Sequence, residues 1–200
     1  PTAACTVRVH EGMEVQTESP ELSDVRKGMV EMLFAEGNHF CPACEKSGDC
    51  DLQGMGYQMG VQISRFPHFF VHRLIDYRPE RMIIEHNRCI RCRRCVEEVL
   101  TKEGQRVFSF VNRGDETSVA IDYEQEAKLS EEEALRAMHI CPVGAILVRG
   151  KSLARPHGER KYDRPEEPWE RKKKSSGVPA MRKGAPKKVV ATTSLAGCFG

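Results

Sequence analysis

"NRCIRCRRCVEEV", residues 87–99, sets Cys89, Cys92 and Cys95 at three-residue intervals. That spacing lets a short loop and the start of a helix point three thiolates at one small object. A [4Fe–4S] cube needs ligands at the corners of a tetrahedron, so a fourth must come from elsewhere in the chain. Cys141, followed by Pro142, is the evident remote ligand, because C-x2-C-x2-C with a later C-P is the ferredoxin-type arrangement. Where two such runs exist, the fourth cysteine of one serves the other cluster. No second run of this type lies downstream here, so Cys141 most simply completes the same cube. Zinc is the alternative, but a four-cysteine zinc site commonly shows two separated C-x2-C knuckles.

Upstream, "NHFCPACEKSGDCDLQ" (38–53) carries Cys41, Cys44 and Cys50 in a C-x2-C-x5-C pattern, with His39 two residues before the first. Three thiolates and one imidazole can also hold a [4Fe–4S] cube. A neutral histidine in place of a thiolate removes one negative charge and raises the reduction potential, other things equal. A zinc site with three cysteines and one histidine stays open, as does His39 as a surface residue. His68, His72, His86 and His139 have no comparable spacing and read as surface or packing histidines. Cys5 and Cys198 each stand alone, and taken without context each is an ordinary thiol. No Ser/His/Asp set, phosphate loop or paired-carboxylate motif stands out, so no catalytic residue is assigned.

The rest of the composition agrees with a metal-stabilised chain. Nine cysteines in 200 residues sit in tight clusters rather than scattered pairs, which favours metal over disulfides and a reducing compartment, most simply the cytoplasm. Aromatic residues make up only 6% and charged residues 30%, so an apolar core is modest and clusters supply cross-links it lacks. No run of eighteen apolar residues exists, so no membrane span is expected, and no signal-peptide pattern opens the chain. The net charge of +2 conceals a split. Residues 1–150 hold 18 basic and 24 acidic residues, a net of −6, while 151–188 hold 13 and 5, a net of +8. The basic stretch is rich in Pro and Gly and reads as an exposed linker. It has no nucleic-acid-binding motif beside it, so no nucleic-acid partner is assigned.

The pattern predicts an α+β chain. Residues 5–9 alternate as a short strand, with 13–17 as a hairpin partner. "SPELSDVRKGMVEMLFAEGN" (19–38) predicts a helix capped by Ser19, with Pro20 in its first turn and Gly37 and Asn38 at its end. Its core-facing stripe is Leu22, Val25, Met29, Val30, Leu33 and Phe34. Residues 54–80 read as irregular or short helix, and 81–86 as a strand leading into the cysteine triple. A helix follows Cys95, and a hairpin turns around "NRGDE" (112–116). "LSEEEALRAMHI" (129–140) is a helix with Ser130 and Glu133 as a capping box, delivering Cys141. Arg91, Arg93 and Arg94 beside the triple read either as charges that tune a cluster or dock a partner, or as a solvated face.

The motif order is a three-cysteine segment with a histidine, then C-x2-C-x2-C, then C-P after 45 residues. That order resembles the N-terminal iron–sulfur region of the complex I large iron–sulfur subunit family. "LFAEGNHFCPACEKSGDCDLQ" (33–53) and "HICPVGAIL" (139–147) are similar to one branch, the diaphorase-side iron–sulfur subunit of cytoplasmic NAD-reducing [NiFe] hydrogenases. The resemblance spans roughly residues 1–165.

That likeness implies small cluster-stabilised domains. Residues 1–18 would be the end of a [2Fe–2S] ferredoxin-like domain, with Cys5 as fourth ligand and the other three before Pro1, so that cluster belongs to the full-length protein. Residues 19–78 would form the histidine-plus-three-cysteine [4Fe–4S] domain and 79–150 a ferredoxin-like [4Fe–4S] domain. Residues 151–186 would be the basic linker. The family histidine usually sits in H-x3-C; here the spacing is H-x-C, and Gly37 occupies the usual position. "KKVVATTSLAGCFG" (187–200) resembles the start of the small subunit of the same hydrogenases, where Cys198 matches the first cysteine of a cluster-binding pair. A fused polypeptide is the reading, with a frameshift or assembly artefact as its rival. The implied role is electron transfer between hydrogenase subunits, small and large, and a partner subunit holding FMN and NAD. The alternatives are a subunit of a complex I-type or formate dehydrogenase, and a zinc-stabilised binding module.

Overall fold

A computed structural model describes residues 2–4, 6–163 and 188–190. The described residues divide into two compact units, one holding those of 2–26 with 188–190 and one holding 27–163. In the first, strand β1 (Glu14–Gln16) pairs antiparallel with the strand Lys188–Val190, with Val15 opposite Val189. The expected hairpin of 5–9 with 13–17 does not form: described residues 6–9 hold no strand, and the partner of β1 comes from the far end of the chain.

Helix α1 (Pro20–Glu36) begins as its sequence dictates, with Ser19 Oγ accepting from Leu22 N at 3.1 Å. Its inward face differs from the expected stripe. Val30 is buried and Leu33 and Phe34 pack on the core, but Val25 and Met29 are 42% and 57% exposed. Gly28, Glu31 and Ala35 turn inward instead, and the Glu31 carboxylate takes a 2.7 Å hydrogen bond from Arg65. An ion pair with the irregular segment after residue 60 thus replaces part of the apolar contact.

Helix α2 (Asp51–Gln58) follows the first cysteine group, and β2 (Ile75–Asp76), β3 (Met82–Glu85) and β6 (Ile146–Val148) form an antiparallel sheet in the order β2-β3-β6. Between β3 and β6 lie α3 (Arg94–Glu98), the hairpin β4 (Phe108–Val111) and β5 (Ser118–Ile121), α4 (Tyr123–Lys128) and α5 (Glu131–Ile140). The capping box of Ser130 and Glu133 is present. Helix α4 was not expected; Asp122 caps it by accepting from Glu124 N and Gln125 N. The core gathers Met82 and Ile84 from β3, Ala134, Ala137 and Met138 from α5, and Phe108 and Val119 from the hairpin. Among the described residues no helix is long and apolar enough to cross a membrane.

Residues 151–163, expected to open an exposed linker, run back along the first cysteine loop, although most of their side chains are exposed. Leu153 N, Arg155 N and Lys161 N donate to the carbonyls of Glu45, Ser47 and Gly48 at 2.8, 2.8 and 3.0 Å. Tyr162 stacks on Tyr57 of α2.

One carboxylate pins the entry to β3. Glu126 is 0% exposed and accepts from the amides of Glu80, Arg81 and Met82 at 2.9, 2.8 and 3.0 Å. Glu126→Ala leaves these donors without their acceptor and should cost roughly 3 kcal/mol. A chemical-denaturation midpoint within error of the parent would contradict that.

Candidate metal centres

The triple at 89–95 is shaped by two residues with left-handed backbone. Arg91 (φ 55°) and Arg93 (φ 69°) adopt a conformation that costs a non-glycine residue about 1–2 kcal/mol. The surroundings hold them there, with Arg91 paired to Glu36 and Arg93 to Glu97. The turns aim Arg91 N at Cys89 Sγ, 3.4 Å away, and start α3, which carries Cys95. Cys141 is the C-cap of α5, its own N–H bonded to the Ala137 carbonyl. The amides of Val143, Ala145 and Ile146 face its sulfur. Cys89, Cys92, Cys95 and Cys141 thereby line one cavity, with about 390 Å³ of empty space including its mouth. Its other walls are mostly apolar, among them Ile84, Ile90, Val119 and Val143, with Arg93 also lining it. Burial raises the Cys95 thiol to about 12, helped by the neighbouring thiols, and pushes Cys89 and Cys141 upward as well. Bare thiols in such a place keep their protons, so binding a thiolate-ligated group releases protons.

The upstream cysteine group builds the other cavity, the first along the chain, of about 290 Å³ including its mouth, lined by His39, Cys41, Cys44 and Cys50. Cys50 caps α2, its sulfur accepting from Gln53 N at 3.4 Å. Burial raises the Cys50 thiol to about 11 and pushes Cys41 up too. The His39 imidazole stands edge-on to Phe34. Its pKa falls to about 4, through burial first and the Arg88 guanidinium second, which leaves a neutral ring able to act as a ligand. The odd H-x-C spacing has a spatial counterpart. A Cβ on Gly37 would lie 2.5 Å from His39 Nε2 and 2.8 Å from the Asn87 carbonyl oxygen. The ring therefore fills the space that a side chain on residue 37 would enter.

The two cavities share a wall, the turn 141–144. Cys141 lines one, while Gly144 lines the other. Pro142 O accepts from Asp51 N at 2.8 Å, and a Cβ on Gly144 would lie 2.6 Å from Cys44 Sγ.

An iron–sulfur cube fits both donor sets. Among the described residues no three of His, Cys, Asp or Glu converge closely enough to hold a single ion, yet each quartet faces one cavity. Arg88 Nε, on a residue lining the first cavity, and the nearby Tyr162 hydroxyl are buried without a hydrogen-bond partner. Such donors suit an anionic occupant carrying sulfur acceptors.

All eight internal ligand candidates thus fall into two groups, as their spacing suggests. Cys5 and Cys198 lie outside the described residues. Arg91, Arg93 and Arg94 are engaged with Glu36, Glu97 and Asp51. Of the other histidines, His139 stands 3.9 Å from Asp49, and His86 Nδ1 is buried without a partner. Sequence reasoning did not single out Arg88, Tyr162 or Gly144; only the glycine after C-P-V hints at close approach.

Comparison with known proteins adds independent findings. The family model of the NADH-ubiquinone oxidoreductase-G iron–sulfur binding region matches residues 26–65. That of the NADH-quinone oxidoreductase subunit 3 ferredoxin-like domain matches residues 80–147. The chain is 48% identical over 162 residues to the gamma subunit of the NAD-reducing hydrogenase HoxS of Cupriavidus necator, covering 80% of this chain and 69% of that one. It is 31% identical over 178 residues to the mitochondrial NADH-ubiquinone oxidoreductase 78 kDa subunit of Neurospora crassa, covering 88% of this chain but only 22% of that one. It therefore spans about a fifth of that larger relative's length. The crystal structure of an NAD+-reducing [NiFe]-hydrogenase in the H2-reduced state matches with a TM-score of 0.70 at 37% identity, covering 81% of this chain and 70% of that one.

Proposed function

The chain belongs to the family of the gamma subunit of NAD-reducing hydrogenase, and from that premise we propose that it relays electrons between a [NiFe] hydrogenase small subunit and a flavin subunit that reduces NAD+. The net reaction served would be H2 + NAD+ to NADH + H+, in either direction. The observation that carries this reading is the pair of cavities, each lined by one complete set of expected ligands, with the turn 141–144 contributing to both.

When bound, each [4Fe–4S] cluster would accept and return one electron. The protein's part is to hold and tune. Cys89, Cys92, Cys95 and Cys141 would ligate one cluster, and His39, Cys41, Cys44 and Cys50 the other. The neutral imidazole would remove one negative charge from the first site and the Arg88 Nε–H, on a guanidinium paired to Glu45, would offer its occupant a donor, which would favour a higher potential there. The apolar walls of the second exclude water. In this reading the modules are 1–18, 19–78, 79–150, the linker 151–186 and the small-subunit start 187–200. Cys5 would serve a [2Fe–2S] cluster of the longer protein and Cys198 a small-subunit cluster, with FMN and NAD on the partner and the assembly in the cytoplasm.

A complex I-type dehydrogenase subunit is the second reading, favoured by the Neurospora relative; the higher identity to the hydrogenase subunit weighs against it. Against a zinc module stands the spread of each ligand set around a cavity. Metal analysis of anaerobically purified chain should find about eight irons and eight sulfides. Stoichiometric zinc without visible absorption would overturn the proposal. His39→Ala should alter or abolish the cluster of the first site and leave the other unchanged. Unaltered spectra and potentials at both sites would remove His39 from the ligand set.

A further inference from the structure

Lys46 lies two residues after Cys44 on the loop of the first cavity, and its side chain is 1% exposed. A buried ammonium persists only when its charge and donors are satisfied. Its Nζ stands 2.9 Å from Asp49 Oδ2 and donates to the Met138 carbonyl at 2.9 Å and the His139 carbonyl at 3.5 Å. Those two carbonyls close the last turn of α5, the helix that ends on Cys141. The final carbonyls of a helix lack intrahelical donors and carry the negative end of its dipole. Cys141 N–H takes the Ala137 carbonyl, and Lys46 takes the next two. A cation from one site's loop therefore caps the helix that delivers a ligand to the other site. Asp49 extends the connection, with Arg155 at 3.6 Å and His139 at 3.9 Å.

We propose that Lys46 is a positioning residue that locks the two sites together: by capping α5 it holds Cys141 in place for the second cluster, and it fixes the separation across which electrons pass. The inference rests on the iron–sulfur reading above. That reading is tested by the iron content of the unaltered chain, and the present one by variants compared with it, so the two fail separately.

Lys46→Met keeps the length and removes charge and donors; Lys46→Arg keeps both. Each is purified anaerobically as the full chain and examined for iron, by electron paramagnetic resonance, and by redox titration. The cluster signals are assigned with His39→Ala. In Lys46→Met the signal of the cluster at 89, 92, 95 and 141 should shift in g-values and potential or disappear, with iron falling from about eight toward about four per chain. The spin coupling between the two reduced clusters should weaken. Lys46→Arg should restore both. Changes confined to the His39 site, or a second-site signal and spin coupling equal to wild type, would overturn the proposal. So would a Lys46→Arg chain as defective as Lys46→Met. If Lys46→Met yields no soluble chain, Lys46→Gln, which keeps one donor for the Met138 carbonyl, decides. An intermediate shift at the second site supports the lock, and wild-type values there reject it.

Discussion

Cys141→Ser should lower the iron content from about eight to about four per chain and erase one of the two cluster signals. Serine nearly preserves the volume, so the apolar packing around position 141 survives and the loss isolates ligation. A hydroxyl is a poor replacement for a thiolate at a soft iron–sulfur site. The three amides of Val143, Ala145 and Ile146 that face the sulfur stabilise negative charge on it, and they have no comparable partner in a neutral serine. Because metal binding is coupled to folding, the unfolding midpoint should fall as well. Full iron content with both signals intact would exclude Cys141 from the ligand set and force a different fourth ligand on the triple.

Gly144→Ala should have an effect of similar size on the other cluster. The added carbon would sit 2.6 Å from Cys44 Sγ, closer than real contacts allow, with Lys46 Cβ at 3.4 Å and Arg88 Nη1 at 3.5 Å on its other sides. The turn has no easy retreat. Pro142 O is bonded to Asp51 N and Ala145 O to Glu85 N, each at 2.8 Å. The strain therefore falls on Cys44, and the first cluster should be lost or spectrally altered. Overpacking by one carbon costs about 1–3 kcal/mol in addition. Iron analysis, visible absorption and denaturant midpoint together check this; an unchanged spectrum at full occupancy would show that the turn moves freely.

The grouping of His39 and the cysteines around two cavities was readable from the sequence because their spacing is local: three-residue intervals on a loop constrain where side chains point. The capped helix before Cys141 was readable for the same reason, since Ser130 and Glu133 are neighbours on one turn. What escaped were contacts between distant segments. Apolar periodicity placed Val25 and Met29 inward, but the Glu31–Arg65 pair joins residues 34 apart and turns the helix face. The burial of Lys46 depends on a carbonyl 92 residues away. The segment 151–163 reads as solvated by composition, yet its backbone hydrogen bonds follow the first cysteine loop. No local signal carries such pairings.

That returning segment bears on how the protein is made. A nascent chain extended only to residue 140 already holds seven of the eight ligand candidates, but neither cavity has its full wall. Cys141 and Gly144 arrive next, and the segment that lies along residues 45–48 follows only with 153–161. Neither cavity can thus close before residues 141–161 have been made, so a group held there could enter before that point without prying a folded chain apart.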